Sequence, residues 1–205
     1  MIPPALYLAF VLTSAVFLPI PGPNVALIVS ASLGGGRRAG LATVAGTSSA
    51  MAVQLGLTVA GMSALLTVSA AWFSALRWIG VVYLLYLGLR AWRTAPTDLS
   101  RTQAEGSPML RHFLRGFPVA LTNPKTLLFF GAFLPQFVSP GLPLRPQLVL
   151  LAATFLCMAI AFDCTWALLA ARARFVLARY GSWRNRLQGG LLIGAGLGLA
   201  LARKS

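Results

Sequence analysis

Two ionisable side chains stand inside otherwise apolar runs of this chain. Lys125 lies in Asn123-Pro124-Lys125-Thr126-Leu127, and Asp163 in Ala161-Phe162-Asp163-Cys164. A charge at the centre of a membrane helix costs about 2.5–3.5 kcal/mol on insertion scales, so such groups face a partner, a cavity or an ion pathway. An ammonium and a carboxylate at similar depth could take the two ends of a zwitterion, or exchange a proton. They could equally satisfy each other as a static ion pair. Desolvation disfavours both charged forms and mutual attraction opposes it, and that balance decides whether a proton can couple.

Proline clusters flank this chemistry. Proline removes a backbone donor and clashes with the preceding turn, so Pro19-Ile20-Pro21-Gly22-Pro23-Asn24 must interrupt any helix that carries it. Asn123-Pro124-Lys125 repeats the design. Backbone groups freed at membrane depth are tolerated only when buried in protein or lining a watery cavity, where they can coordinate charged groups. A packing kink is the plainer alternative. The candidate binding residues are therefore Pro21, Gly22, Pro23, Asn24, Asn123, Pro124, Lys125 and Asp163. Ser48, Ser49 and Gln54, beside Thr47, could add hydrogen bonds to a ligand, although bonds to neighbouring helices explain them more simply.

The elements that must position these groups follow from composition. The 205 residues are 58% hydrophobic and 10% charged, far below the roughly 25% charged of a soluble domain. The apolar runs approach or exceed the roughly 18–20 residues that cross a bilayer core. The expectation is an all-α integral membrane protein of six transmembrane helices forming one transporter-like domain over 1–205. The spans fall near 7–32, 41–66, 73–92, 113–138, 147–171 and 187–202. The first is broken at its prolines and ends at the Gly34-Gly35-Gly36-Arg37-Arg38 turn, and the fourth contains Asn123-Pro124-Lys125. Residues 94–111 form a polar loop, and the chain keeps its first helix instead of losing it as a signal peptide. Re-entry of that helix at its prolines is the alternative to a full span.

Cations assign the orientation, because loops rich in Lys and Arg stay cytoplasmic. The first, third and fifth connections hold Arg37, Arg38, Arg90, Arg93, Arg101, Arg111, Arg115, Arg172, Arg174, Arg179, Arg184 and Arg186, whereas the other side holds Arg77, Arg145, Arg203 and Lys204. Both termini are thus expected outside the cytoplasm. The same distribution makes the net charge of +14 a topology signal, and no basic stretch carries the interleaved aromatics of a nucleic-acid site. Cys157 and Cys164, one heptad apart on one helix, are about 10 Å apart at a rise of 1.5 Å per residue, too far for a disulfide. His112 is expected in a loop. No Cys/His spacing suits a metal, and no H-E-x-x-H or G-x-S-x-G signature suggests an enzyme. No cofactor is implied.

A weak repeat matches Gly80 with Gly190, Leu87-Gly88-Leu89 with Leu197-Gly198-Leu199, and Arg93 with Arg203. Two three-helix halves, about 5–93 and 112–205, would then be inverted repeats with a site near the midplane. Gly190, Gly194 and Gly198 allow close helix contact, either within the bundle or in a homodimer.

With these residues in place the chain resembles the LysE/RhtB family of bacterial inner-membrane amino-acid exporters. The resemblance rests on Pro21-Gly22-Pro23-Asn24, on Gly80 with Tyr83-Leu84-Leu85-Tyr86-Leu87-Gly88, on Asn123-Pro124-Lys125 with Pro135-Gln136-Phe137, and on Asp163 with Trp166. It implies ion-coupled efflux, with a proton as the expected ion, of amino acids or relatives such as homoserine, threonine, lysine, arginine or homoserine lactone. Where some members place an acid or histidine in the second helix, this chain has Met51 and Gln54. Lys125 and Asp163 sum to zero charge, which favours neutral zwitterions over dibasic substrates. Metal-ion efflux is the nearest alternative, and an intramembrane enzyme a more distant one.

Overall fold

The computed structural model describes residues 2–20, 22–65, 108–130 and 134–177, with scattered helical positions between Trp78 and Arg93 and between Arg186 and Leu197. Its elements are α1 (Pro4–Phe17), α2 (Pro23–Leu65), α3 (Met109–Leu121), α4 (Pro124–Leu128), a 3-10 turn (Leu134–Phe137) and α5 (Leu144–Leu177). The fold is all-α. Two stretches among the described residues, Pro23–Gly61 and Leu144–Arg174, are long and apolar enough to cross a membrane, with mean hydropathies of 1.2 and 2.2. The expected third span, the polar loop, the sixth span and most of the repeat match lie largely outside the described residues. Gly190 and Gly194 are helical and exposed, with open space where a Cβ would stand.

Both proline clusters break their helices, as their chemistry requires. α1 stops at Phe17 and α2 begins at Pro23, where proline's missing donor costs nothing in the first turn. The expected fourth span, 113–138, is interrupted at its Asn-Pro motif, and its described residues include α3, α4 and the 3-10 turn. Asn123 separates the first two. Its side chain accepts from the Lys125 backbone N–H at 3.0 Å and so caps the new helix at the point where Pro124 prevents the old one from continuing. His112 is corrected from loop to helix, in the first turns of α3. Fifth-span residues extend further than expected, to Leu144 and Leu177.

The five-residue turn expected at 34–38 is a single glycine. Gly36 has φ 75° and ψ −168°, a conformation essentially restricted to glycine. The chain doubles back there: Ser32 Oγ lies where a Gly40 Cβ would stand, and Ile28 packs with Val44. These partners are equidistant from Gly36, so α2 is a hairpin of two antiparallel arms. Its second arm lies against α5 in antiparallel order, with Gly36 beside Arg174, Gly40 beside Ala167, and Met51 and Leu55 in one core with Leu151 and Phe155. On its other side α3 approaches to backbone contact. A Cβ on Gly46 would strike the Phe113 carbonyl, and one on Gly116 would lie 2.6 Å from the Thr43 carbonyl oxygen.

The outer core is aromatic. Phe10 meets Phe137 at 5.2 Å, Phe17 meets Phe129 at 4.6 Å, and Phe129 stacks on Phe155 at 4.6 Å. Tyr7 Oη and Thr154 Oγ1 share a 2.9 Å hydrogen bond that ties α1 to α5. Ile2 shares this core with Phe137 and Leu148. The start of the chain therefore lies at the end of the bundle opposite Gly36.

Candidate functional site

The breaks after α1 and before α4 meet in space. Lys125, in the first turn of α4, reaches back across more than a hundred residues. Its Nζ donates to the carbonyl oxygens of Phe17 at 2.8 Å and Ile20 at 2.5 Å, and lies 4.5 Å from the centre of the Phe17 ring. The last carbonyls of a helix lack intrahelical donors and carry its negative dipole end, so a cation is well placed there. Gly22 makes room, since a Cβ there would lie 3.4 Å from Lys125 Cδ.

Beside this contact is a cavity of about 30 Å³, bounded by Phe17, Gly22, Asn24, Met51, Asn123, Lys125, Thr126, Phe155, Ala159 and Asp163, with Leu18 and Val25. That volume admits a water or two and no amino acid. Asp163 enters from α5 and is 8% exposed. No ion pair joins it to Lys125, whose ammonium is committed to the α1 carbonyls. The static pair weighed from the sequence is therefore not the arrangement found. Asn24, 6% exposed, also lines the cavity, and its buried side-chain Oδ1 has no hydrogen-bond partner. A buried carboxylate, an orphaned amide oxygen and helix ends of both polarities around one void form a polar site able to receive a ligand with both charges.

The remaining candidates are divided. Gly22, Asn24, Asn123, Lys125 and Asp163 come together at the cavity, and Pro23 and Pro124 start the helices that place them. Pro21 lies outside the described residues. Gln54 is one step removed: its Nε2 donates to the carbonyls of Ala120 and Leu121, and its Oε1 accepts from Thr126 Oγ1 at 3.4 Å. Ser49 donates to Ala45 O within its own helix, and Ser48 is buried away from the cavity lining. Thr126, Met51, Phe17, Phe155 and Ala159 were missing from the sequence candidates. Phe155 and Ala159 were within reach, because they precede Asp163 by eight and four residues and share its helix face. Among the described residues no group of three or more His, Cys, Asp or Glu side chains could hold a metal ion.

At the Gly36 end of the bundle, the His112 ring lies 3.7 Å from where a Gly35 Cβ would stand, and the Arg174 guanidinium abuts Gly36. Burial, then Arg115 and Arg111, lower the imidazole's affinity for a proton. Gly35 and Gly36, His112 and Arg174 thus meet at one end of the described residues.

The LysE type translocator family model matches residues 15–203. A membrane protein of Vibrio cholerae described as uncharacterized is 34% identical over 202 residues, covering 96% of this chain and 97% of that relative. The homoserine/homoserine lactone efflux protein of Salmonella typhimurium is 32% identical over 170 residues, 81% of each chain. The leucine efflux protein of the same organism is 32% identical over 134 residues, 64% of this chain and 63% of its own. No solved structure matches the chain significantly.

Proposed function

Because the chain belongs to the LysE-type translocator family, we propose that it exports neutral amino acids or homoserine-like derivatives across the bacterial inner membrane. It is a membrane transport protein and not an enzyme. The observation that carries the substrate reading is the cavity at two helix breaks, lined by Asp163, Lys125 and Asn24, in which no ion pair joins the two charged side chains and the Asn24 oxygen has no hydrogen-bond partner. A zwitterion supplies the complement of each: its carboxylate for Lys125 and its ammonium for Asp163 and Asn24. Asp163 is also the group that could carry a coupling proton.

Six spans in two inverted halves complete the reading. α1 with the first arm of α2 runs toward the Gly36 end, whereas α3 with α4 starts beside Gly35 and runs away from it. The two broken paths cross in opposite directions at their breaks, as inverted repeats around a midplane site do. The second arm of α2 and α5 are likewise antiparallel. The Gly36 end carries the exposed Arg37, Arg38, Arg111 and Arg172 and faces the cytoplasm on this reading.

A cavity this small does not admit an amino acid, so the site must enlarge to take substrate. The charge sum of the site disfavours a dibasic substrate, whose extra cation would lack a carboxylate partner. The efflux of homoserine and leucine named for the Salmonella relatives accords with that preference. Purified protein in proteoliposomes tests it by competition. Leucine, homoserine and threonine are expected to compete better than lysine or arginine, and the reverse order sinks the charge argument. Release of divalent cations in place of amino acids would shift the reading to metal efflux. Lys125→Ala and Asp163→Asn are each expected to abolish export with normal insertion, and wild-type rates from both would remove the site assignment.

A further inference from the structure

Lys125 is not waiting for a ligand in this arrangement. Its ammonium already has two backbone acceptors, the carbonyls of Phe17 and Ile20, and lies over the Phe17 ring. These carbonyls belong to the frayed end of α1. Phe17 O receives one further, long bond from the Ile20 N–H at 3.3 Å, and no backbone N–H of a described residue donates to Ile20 O. Besides this polar contact, the inner end of α1 is held by the packing of Phe17 and Leu18 on the aromatic core. Glycine caps are absent there, Leu18 continues in right-handed helical conformation, and the chain then enters the proline cluster.

From this geometry we infer that Lys125 is a latch: in the empty site it holds the inner end of α1 against α4, and a ligand carboxylate releases α1 by taking the ammonium from those carbonyls. The inference rests on the amino-acid reading of the site and says what binding does to the protein. An ammonium has three donors, and two are already committed. A carboxylate is the stronger acceptor, because charge-assisted hydrogen bonds are roughly twice as strong as those to neutral acceptors. The exchange leaves the Phe17 and Ile20 carbonyls without their donor. α1 must then shift until water or other donors satisfy them, since carbonyls left without a donor, the part-buried Phe17 oxygen above all, are costly. Binding thereby enlarges a cavity too small for the ligand, by freeing the element that walls it. A ligand lacking the carboxylate has no means of releasing the latch.

Spin labels test this in full-length protein in nanodiscs. One pair is placed at L12C and L150C, on exposed faces of α1 and α5, in a background of Cys157→Ser and Cys164→Ala. A second pair at V53C and L150C reports the α2–α5 packing, which is expected to stay fixed. Wild-type protein without ligand should give one narrow α1–α5 distance, which lengthens and broadens with saturating leucine and is unmoved by leucinamide. Lys125→Met should show the released distribution before any ligand is added, and leucine should bind it about tenfold or more weakly, the loss expected for one charged hydrogen-bonding partner. Lys125→Arg, which keeps a cation for the carbonyls, should retain the narrow distance and covers the case in which the methionine variant fails to fold.

Leucine binding by calorimetry without movement of α1 would overturn the latch and leave the amino-acid reading intact. A released α1 in Lys125→Met, with no binding of leucine or homoserine to the wild type, would support the holding contact and remove the amino-acid reading. An unchanged α1 distance in the folded methionine variant overturns the latch whatever the substrate.

Discussion

Gln54 on α2 donates its side-chain Nε2–H to the backbone carbonyl of Leu121 at 3.0 Å, and the same nitrogen reaches Ala120 O at 3.2 Å. These are end carbonyls of α3: Ala120 O also accepts from the Asn123 N–H at 3.1 Å, whereas the Lys125 N–H that a continuing helix would give to Leu121 O turns to Asn123 Oδ1. The amide oxygen meanwhile accepts from Thr126 on the far side of the break. One buried side chain therefore spans the interruption that Asn123 and Pro124 create.

The role distinguishes a structural amide from a substrate contact. Gln54→Leu takes the side-chain donor from the Leu121 carbonyl and is expected to destabilise the protein by about 1–3 kcal/mol, read as a lower thermal midpoint in detergent. Export should fall with stability while substrate order stays the same. A variant of unchanged midpoint with altered preference between homoserine and leucine would instead place Gln54 in contact with substrate.

Backbone contact between α2 and α3 gives a second test. Gly46→Ala drives a methyl group into the Phe113 carbonyl, and overpacking of this kind costs about 1–3 kcal/mol. Gly56 lies on the same arm with nothing within 4 Å of a new Cβ. Gly56→Ala should therefore be neutral, or stabilising by up to about 1 kcal/mol through helix propensity. Equal thermal midpoints for the two variants would contradict the packing described.

His112 predicts a pH dependence of stability. Burial, reinforced by Arg115 and Arg111, holds its folded-state pKa below the ordinary 6.5. As pH falls, the unfolded chain protonates first, so the native state loses stability below about pH 6.5 and regains it above. The thermal midpoint should drop between about pH 7.5 and 5.5, and His112→Gln should flatten the part of that drop due to the imidazole. An identical pH profile in the variant would show that the ring is not the group responsible.

Orientation is tested by reporter fusions. On the cation distribution, a reporter at 97–103 is expected in the cytoplasm. A reporter at Gly141, in the turn before α5, is expected outside. Both reporters on one side would refute the six-span reading.

The sequence by itself determined the solvent, the helical class and the positions of both breaks. Each is a local property: a run of apolar side chains settles which medium is favourable, and a proline cannot donate or fit in a continuing helix whatever surrounds it. The pairing of Asp163 and Lys125 as site candidates followed from the same cost of burying charge. What those groups do with their hydrogen bonds was decided by tertiary structure. Lys125 turns to the carbonyls of Phe17 and Ile20 and not to Asp163, because two chain breaks far apart in sequence cross at one depth. Gln54 serves the end of α3 for the same reason, and His112 becomes helical beside Gly35. Such partners depend on which helix faces pack together, and an unpaired backbone carbonyl leaves no mark in the sequence at the residue that will satisfy it.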